Sequence, residues 1–269
     1  MKLYTWTLTL LLVVANGHAK ENLFALEIMQ AVKNRDEGDQ VTQIMEMILI
    51  DRRGNQRKRT LSTIRKDVGE DTYSILFFTE PADVRDTAFL TWDYDAYDRD
   101  DDQWLYLPAL RKTKRIASRD KSGSFMGSDF SYADMTARPL ERYQFNIMKE
   151  TLVNERSVWQ IETLPNEEEV ARTGYRRSIL FVRQDNFVVV RAVHWQAKGG
   201  ITKYLDVKEL QQLDGIWVTT QVQMTSRKGK EVRHRTILYN RDTRFNQPMQ
   251  DEWFSMRQLE KGPPAEMWQ

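Results

Sequence analysis

From Val41 onward the chain is a succession of short segments rich in Val, Ile, Thr and aromatic residues, each closed by a cluster of turn formers. That rhythm commits it to a meandering antiparallel sheet. Val41–Ile50 runs into the turn Asp51–Asn55 and returns as Gln56–Lys66. Tyr73–Thr79 stops at Glu80-Pro81, and Thr87–Trp92 and Gln103–Leu107 flank an acidic loop. Tyr143–Lys149 and Val158–Leu164 follow, then a hairpin of Tyr175–Val182 with Phe187–Gln196. Thr202–Val207 leads to a last hairpin, Ile216–Met224 with Glu231–Tyr239. The pattern predicts ten or eleven strands with a helix at each end. The first helix carries Ala25, Ile28, Met29 and Val32 at i, i+3, i+4, i+7 spacing and ends over Asn34–Gly38; the second covers Asp251–Leu259. A sheet this long must curl or close. Its first strand is apolar on both faces, with Ile44, Ile48 and Ile50 on one side and Met45, Met47 and Leu49 on the other. The expected fold is therefore mainly β: one curled antiparallel sheet around an apolar hollow, plugged by helices.

The N-terminus adds an export signal. Lys2 precedes an apolar run over Leu8–Ala15, and Gly17-His18-Ala19 supplies small residues for cleavage after Ala19. The run is too short to cross a hydrocarbon core of about 30 Å. The expected organisation is a signal peptide at 1–19 and a single domain at 20–269, in the periplasm. Among the 269 residues there is no cysteine, which excludes disulfides and a lipid-modified N-terminal Cys, so stability must come from a core. A net charge of +1 provides no overall field to draw in nucleic acid. Eight Trp and eleven Met fill cores in most proteins, and also suit surfaces that adapt to variable apolar partners.

Enzyme signatures are missing. The sequence has no thiol, no Gly-x-Ser-x-Gly elbow, no Gly-rich phosphate loop and no His-Glu-x-x-His. His194 and His234 fall on separate strands and read as satisfied strand residues, so no catalytic residue, cofactor or metal is expected. An EF-hand frame starting at Asp93 fails, because Asp98 stands where Gly is needed and Trp104 where Glu is needed. The loop Asp93–Asp102 reads as a solvated hairpin tip.

The stretch Pro108–Pro139 has neither helical nor strand period. It opens with Arg111, Lys112, Lys114, Arg115, Arg119 and Lys121, a basic loop that either offsets the acidic tip or meets anionic headgroups or an acidic partner. Then Gly123 and Gly127 flank Phe125, Met126 and Phe130, a combination suited to a movable cover over an apolar mouth.

The run Trp104-Leu-Tyr-Leu-Pro-Ala-Leu-Arg-Lys112, followed by Gly123-Ser-Phe-Met-Gly-Ser-Asp-Phe-Ser-Tyr-Ala-Asp-Met135, resembles the outer membrane lipoprotein-sorting protein family, large relatives of the periplasmic carrier LolA. Ala25–Met29 and Trp253–Leu259 resemble it too. The resemblance implies an incomplete, half-open β-barrel with helices and the mid-chain insert lidding an apolar cavity. It also implies ligands with acyl chains, from a lipid or a lipoprotein, and an inner-membrane exporter of the resistance-nodulation-division type as partner. The expected function is transfer of acyl-bearing cargo between inner and outer membranes, with transient contact at a membrane surface; the alternative is a non-carrying accessory subunit docked on the exporter. The residues expected at the cavity and lid are Phe125, Met126, Phe130, Tyr132, Met135, Met45, Met47, Trp104 and Tyr106. Those expected to dock a partner or headgroup are Arg111, Lys112, Lys114 and Arg115.

Overall fold

A computed structural model describes residues 22–268. The signal segment at 1–19 lies outside them. Helix α1 spans residues 22–33. Six strands follow: β1 (Gln40–Asp51), β2 (Gln56–Val68), β3 (Asp71–Glu80), β4 (Ala88–Asp93), β5 (Asp102–Leu107) and β6 (Lys112–Arg115). After a long insert come β7 (Tyr143–Val153), β8 (Arg156–Pro165), α2 (Glu167–Thr173), β9 (Tyr175–Arg183) and β10 (Val189–Gln196). The chain ends with β11 (Ile201–Leu213), β12 (Ile216–Lys228), β13 (Glu231–Phe245) and α3 (Met256–Lys261).

The described residues form thirteen strands rather than ten or eleven, all in one sheet ordered β6-β5-β4-β3-β2-β1-β13-β12-β11-β10-β9-β8-β7. Every neighbouring pair is antiparallel. The first half therefore meanders outward from the centre, and the insert carries the chain to the opposite edge. The second half meanders back until β13 pairs with β1. Pattern reading misses β6 because Lys112-Thr-Lys-Arg115 has no apolar alternation; only its pairing with β5 makes it a strand. It also misses α2, although Asn166 accepts from the Glu169 N–H as N-cap and Gly174 closes the helix in the left-handed region at φ 76. The expected helix over Asp251–Leu259 divides at Ser255. That residue is extended and caps α3 by accepting from the Gln258 N–H, leaving Asp251–Phe254 as a 3-10 turn.

The sheet is strongly curled, and two contacts of the insert prove it. Gln103 on β5 donates to the Tyr132 carbonyl at 2.9 Å, and Tyr175 at the start of β9 donates to Asp134 at 2.9 Å. In a flat sheet β5 and β9, nine strand positions apart in the order, would be separated by about 43 Å. Two residues of chain reach about 7 Å. The edges β6 and β7 stay unpaired with each other, so the barrel is half open.

Three elements cover the sheet. On the inner face, α1 lays Ala25, Ile28 and Met29 against Phe145, Ile161, Leu180 and Ala192 of β7–β10. The insert covers the inner face of the other half. On the outer face, Met249, Trp253, Phe254, Leu259 and Met267 of the C-terminal segment pack on Ile64, Ile75, Phe77 and Leu90. Strand alternation then corrects one expectation. Leu105 points inward toward the insert, so its neighbours Trp104 and Tyr106 point outward and pack in the C-terminal cluster. They do not share a face with Met45, Met47 and Phe125.

Candidate functional site

The insert leaves β6 at Ile116 and reaches β7 at Tyr143, crossing the inner face. Ser124 and Ser131 pair as an antiparallel bridge, closing residues 125–130 into a loop. Met126 (φ 50) and Gly127 (φ 76) take left-handed backbone at its tip, a conformation glycine reaches without steric cost. The loop drives Phe125, 1% exposed, into a floor built by Met47, Leu49, Leu61, Leu76, Phe78 and Phe89. Its ring centroid lies 5.1 Å from that of Phe89 and 5.7 Å from that of Tyr132. Met45, Met126, Tyr132 and Met135 pack partly buried around the same cluster. Phe130 is buried, and its carbonyl accepts the Phe125 N–H at 2.8 Å.

Polar latches hold this plug to both halves of the sheet. Asp129 accepts from the Thr236 hydroxyl and bonds His234 Nδ1, each at 2.7 Å, while its own N–H donates to Thr236 Oγ1 at 2.9 Å. Arg59 donates to the Met126 carbonyl at 2.5 Å. Asp134 Oδ2 closes a capping box with Ser131 and accepts from the Tyr175 hydroxyl, which in turn accepts from Lys203 Nζ at 3.1 Å. Burial opposes ionisation of Asp134, but Lys203 and the Ser131 donors outweigh it and hold its carboxyl below the usual range. Beside this group His194 bonds Ser178 Oγ at 2.7 Å and stacks on Tyr175. Burial, reinforced by the charge of Arg138, pushes His194 down to about 3, so it is neutral at physiological pH. Both histidines are satisfied strand residues.

Around the end of the insert runs a second network. Glu169, fully buried, receives two hydrogen bonds of 2.8 Å from Arg172 and one of 2.6 Å from the Tyr143 hydroxyl. Arg172 also reaches Asp101 at 3.1 Å. The acidic loop is thus only partly a solvated tip: Asp95–Asp100 are exposed, whereas Asp93, Asp101 and Asp102 are partly buried. Burial, then the neighbouring Asp101 carboxylate, pushes Asp93 up to about 8, so it carries a proton at neutral pH. Among the described residues, no group of three or more acidic or histidine side chains is placed to hold a metal ion.

The basic run is divided in the same way. Lys121 is fully buried, donating to the Asp101 carbonyl at 2.8 Å. Arg115 pairs with Asp102. Arg111, Lys112 and Lys114 remain exposed on or beside the edge strand β6, where lysines also discourage edge-to-edge pairing.

A cavity of about 560 Å³ lies between the end of α1, the β2–β3 turn, the acidic loop and the end of the insert. Arg65, Arg138, Arg142 and Arg172 face Asp93, Asp101 and Asp134 across it. This cavity is lined largely by charged side chains, and the apolar inner face is occupied by Phe125 and its neighbours. Sequence reasoning missed Asp134, Lys203, Tyr175, Glu169 and Arg172. Only the caps Ser131-x-x-Asp134 and Asn166-x-x-Glu169 were legible as local signals.

A family model described as "uncharacterized protein" matches residues 70–261. A solved domain from Vibrio parahaemolyticus that bears the name outer membrane lipoprotein-sorting protein is 32% identical, with a TM-score of 0.80 over 89% of this chain and 99% of that one. The chain belongs to the outer membrane lipoprotein-sorting protein family. A DUF1329 family protein from Desulfovibrio piger superposes with a TM-score of 0.82 at 27% identity, over 89% of this chain and 99% of that one. A LolA superfamily protein from Nitrosomonas europaea, 18% identical and with a TM-score of 0.65 over 87% and 98% of the two chains, shares the fold. No curated protein sequence matches the chain. For this sorting-family member the half-open barrel of the sequence reading therefore holds.

Proposed function

We propose that the chain is a periplasmic carrier that shelters acyl chains on the inner face of its half-barrel, with residues 122–135 as a displaceable cover. The observation that carries this reading is the occupant of the apolar floor. It is a loop between the two sheet edges, not a strand, and it presents Phe125, Met126, Tyr132 and Met135 where an acyl chain would lie. Membership of a lipoprotein-sorting family supports it, and no described helix is long and apolar enough to cross a membrane. Transferring a chain of about sixteen carbons from water gains roughly 12 kcal/mol at about 0.8 kcal/mol per CH₂. A bilayer offers the same gain, so loading and release are nearly isoenergetic when cargo and plug exchange contacts of the same kind. We assign binding rather than catalysis to the chain. Met45 and Met47 belong to the floor, and Phe130 to the cover. Arg111, Lys112, Lys114 and Arg115 mark the edge that docks on an anionic membrane surface or on an exporter of the resistance-nodulation-division type.

The test is titration of the native protein with an environment-sensitive acyl probe, followed by native mass spectrometry. Binding at one per chain is expected. Probe uptake only on unfolding would support the second reading, a non-carrying accessory subunit, which the charged lining of the open cavity favours.

A further inference from the structure

Lys203 stands on the inner face of β11, 6% exposed, with its Nζ directed at Tyr175 Oη and, 4.0 Å away, at Asp134. A buried ammonium needs a compensating anion. The charges that compensate it come from Asp134 and Asp129, and both belong to the insert. Its strand neighbours offer none: His194, opposite it on β10, is neutral, and Ser178 lies beyond. When the insert lifts off the floor, Lys203 loses both anions together. Arg138 adds a second cation at this end. It lines the charged cavity, and among the described residues no carboxylate lies within ion-pairing distance of it.

The insert therefore resembles an amphiphile bound in place. Phe125 and Met126 occupy the apolar floor, and Asp134 presents a carboxylate to Tyr175 and Lys203. Asp134 and Met135 also form part of the wall of the 560 Å³ cavity, which gives a polar head a path from solvent to Lys203. Resting on the carrier reading above, we propose that the cargo is a single-chain amphiphile with a carboxylate head. The head replaces Asp134 on Lys203 and Tyr175, and the chain replaces Phe125 and Met126 on the floor. A neutral chain would leave Lys203 uncompensated, so the site selects against it.

The experiment displaces an environment-sensitive acyl dye from the purified protein with hexadecanoate, hexadecanol and hexadecyl phosphate. Hexadecanoate is expected to bind at least about tenfold more tightly than hexadecanol, as a charge-assisted contact provides. Lys203→Met should abolish that preference, weakening hexadecanoate and tightening hexadecanol, because no buried ammonium is then left uncompensated. Should it fail to fold, Tyr175→Phe, which removes the bridging hydroxyl, should reduce the preference. Asp134→Asn keeps an acceptor for Tyr175 but removes the competing charge, and should tighten hexadecanoate. Equal affinity for acid and alcohol in the native protein, or a preference that survives both Lys203→Met and Tyr175→Phe, overturns the proposal. Tighter binding of hexadecyl phosphate than of hexadecanoate overturns the carboxylate assignment. If none of the three chains displaces the dye, the carrier reading itself fails.

Discussion

Replacing Phe125 with alanine separates a displaceable cover from ordinary core. Phe125 is 1% exposed and its ring meets Phe78, Phe89 and Tyr132. Phe→Ala in a packed interior costs about 3–5 kcal/mol. If the insert opens as a unit while the barrel stays folded, that loss falls on the local opening equilibrium and not on the global one. The reporters are the amides the plug protects: Phe125 N–H on the Phe130 carbonyl, Tyr132 N–H on Gly123, Ala133 N–H on Lys121 and Asp129 N–H on Thr236. Their hydrogen exchange should accelerate about 10²- to 4 × 10³-fold, since each 1.4 kcal/mol is tenfold. Amides of the β9–β10 hairpin should change little, and the denaturant midpoint should move by much less than in Leu180→Ala, which cuts the core beneath α1. Equal acceleration in β9–β10, with a loss of global stability matching that of Leu180→Ala, would refute the argument. The insert would then be fixed core, and any gate would lie elsewhere.

Asp93 gives a pH signature. Its folded pKa of about 8 exceeds an unfolded value of about 3.9, so its contribution is full at low pH and fades as pH rises toward 8. Relative to Asp93→Asn, native stability should fall by about 1.4 kcal/mol per pH unit between about pH 5 and 8, and parallel curves in chemical denaturation would contradict a protonated Asp93 at neutral pH. Glu169→Gln leaves the buried Arg172 guanidinium without its bidentate partner and should cost about 3–5 kcal/mol in urea unfolding; a loss below about 1 kcal/mol would mean that Asp101 suffices. Reversing Arg111, Lys112 and Lys114 to Glu should leave the melting temperature unchanged and weaken binding to anionic vesicles by at least about 10²-fold, from about 1 kcal/mol for each of the three cations lost. A lower melting temperature with unchanged vesicle binding would make the edge structural.

Much of the architecture is local and was legible in the residues. Alternation and turn formers mark a segment of every strand except β6, because a strand's period of two is imposed by its own backbone. Strands β11 and β13 nevertheless each run six residues past the end read from the pattern. The aperiodic stretch around Phe125 announces an insert, and helical spacing at Ala25, Ile28, Met29 and Val32 announces α1. Period alone does not say which face turns inward. Leu105 and Trp104 carry the same strand signal, and only the curl of the sheet sends one to the insert and the other to the C-terminal segment. Charge is legible as composition but not as pairing. Lys121 and Arg115 read as members of one exposed patch, yet Asp101 takes the first into the interior and Asp102 engages the second. The ties that build the site join Arg172 to Asp101, 71 residues apart, and Asp129 to Thr236, 107 apart. Such partners are brought together by the antiparallel order of the whole sheet, in which the last strand returns to the first. A buried ion or carboxylate is tolerated only where that return delivers its counter-charge, so the polar network belongs to the tertiary structure and the strands that carry it belong to the sequence.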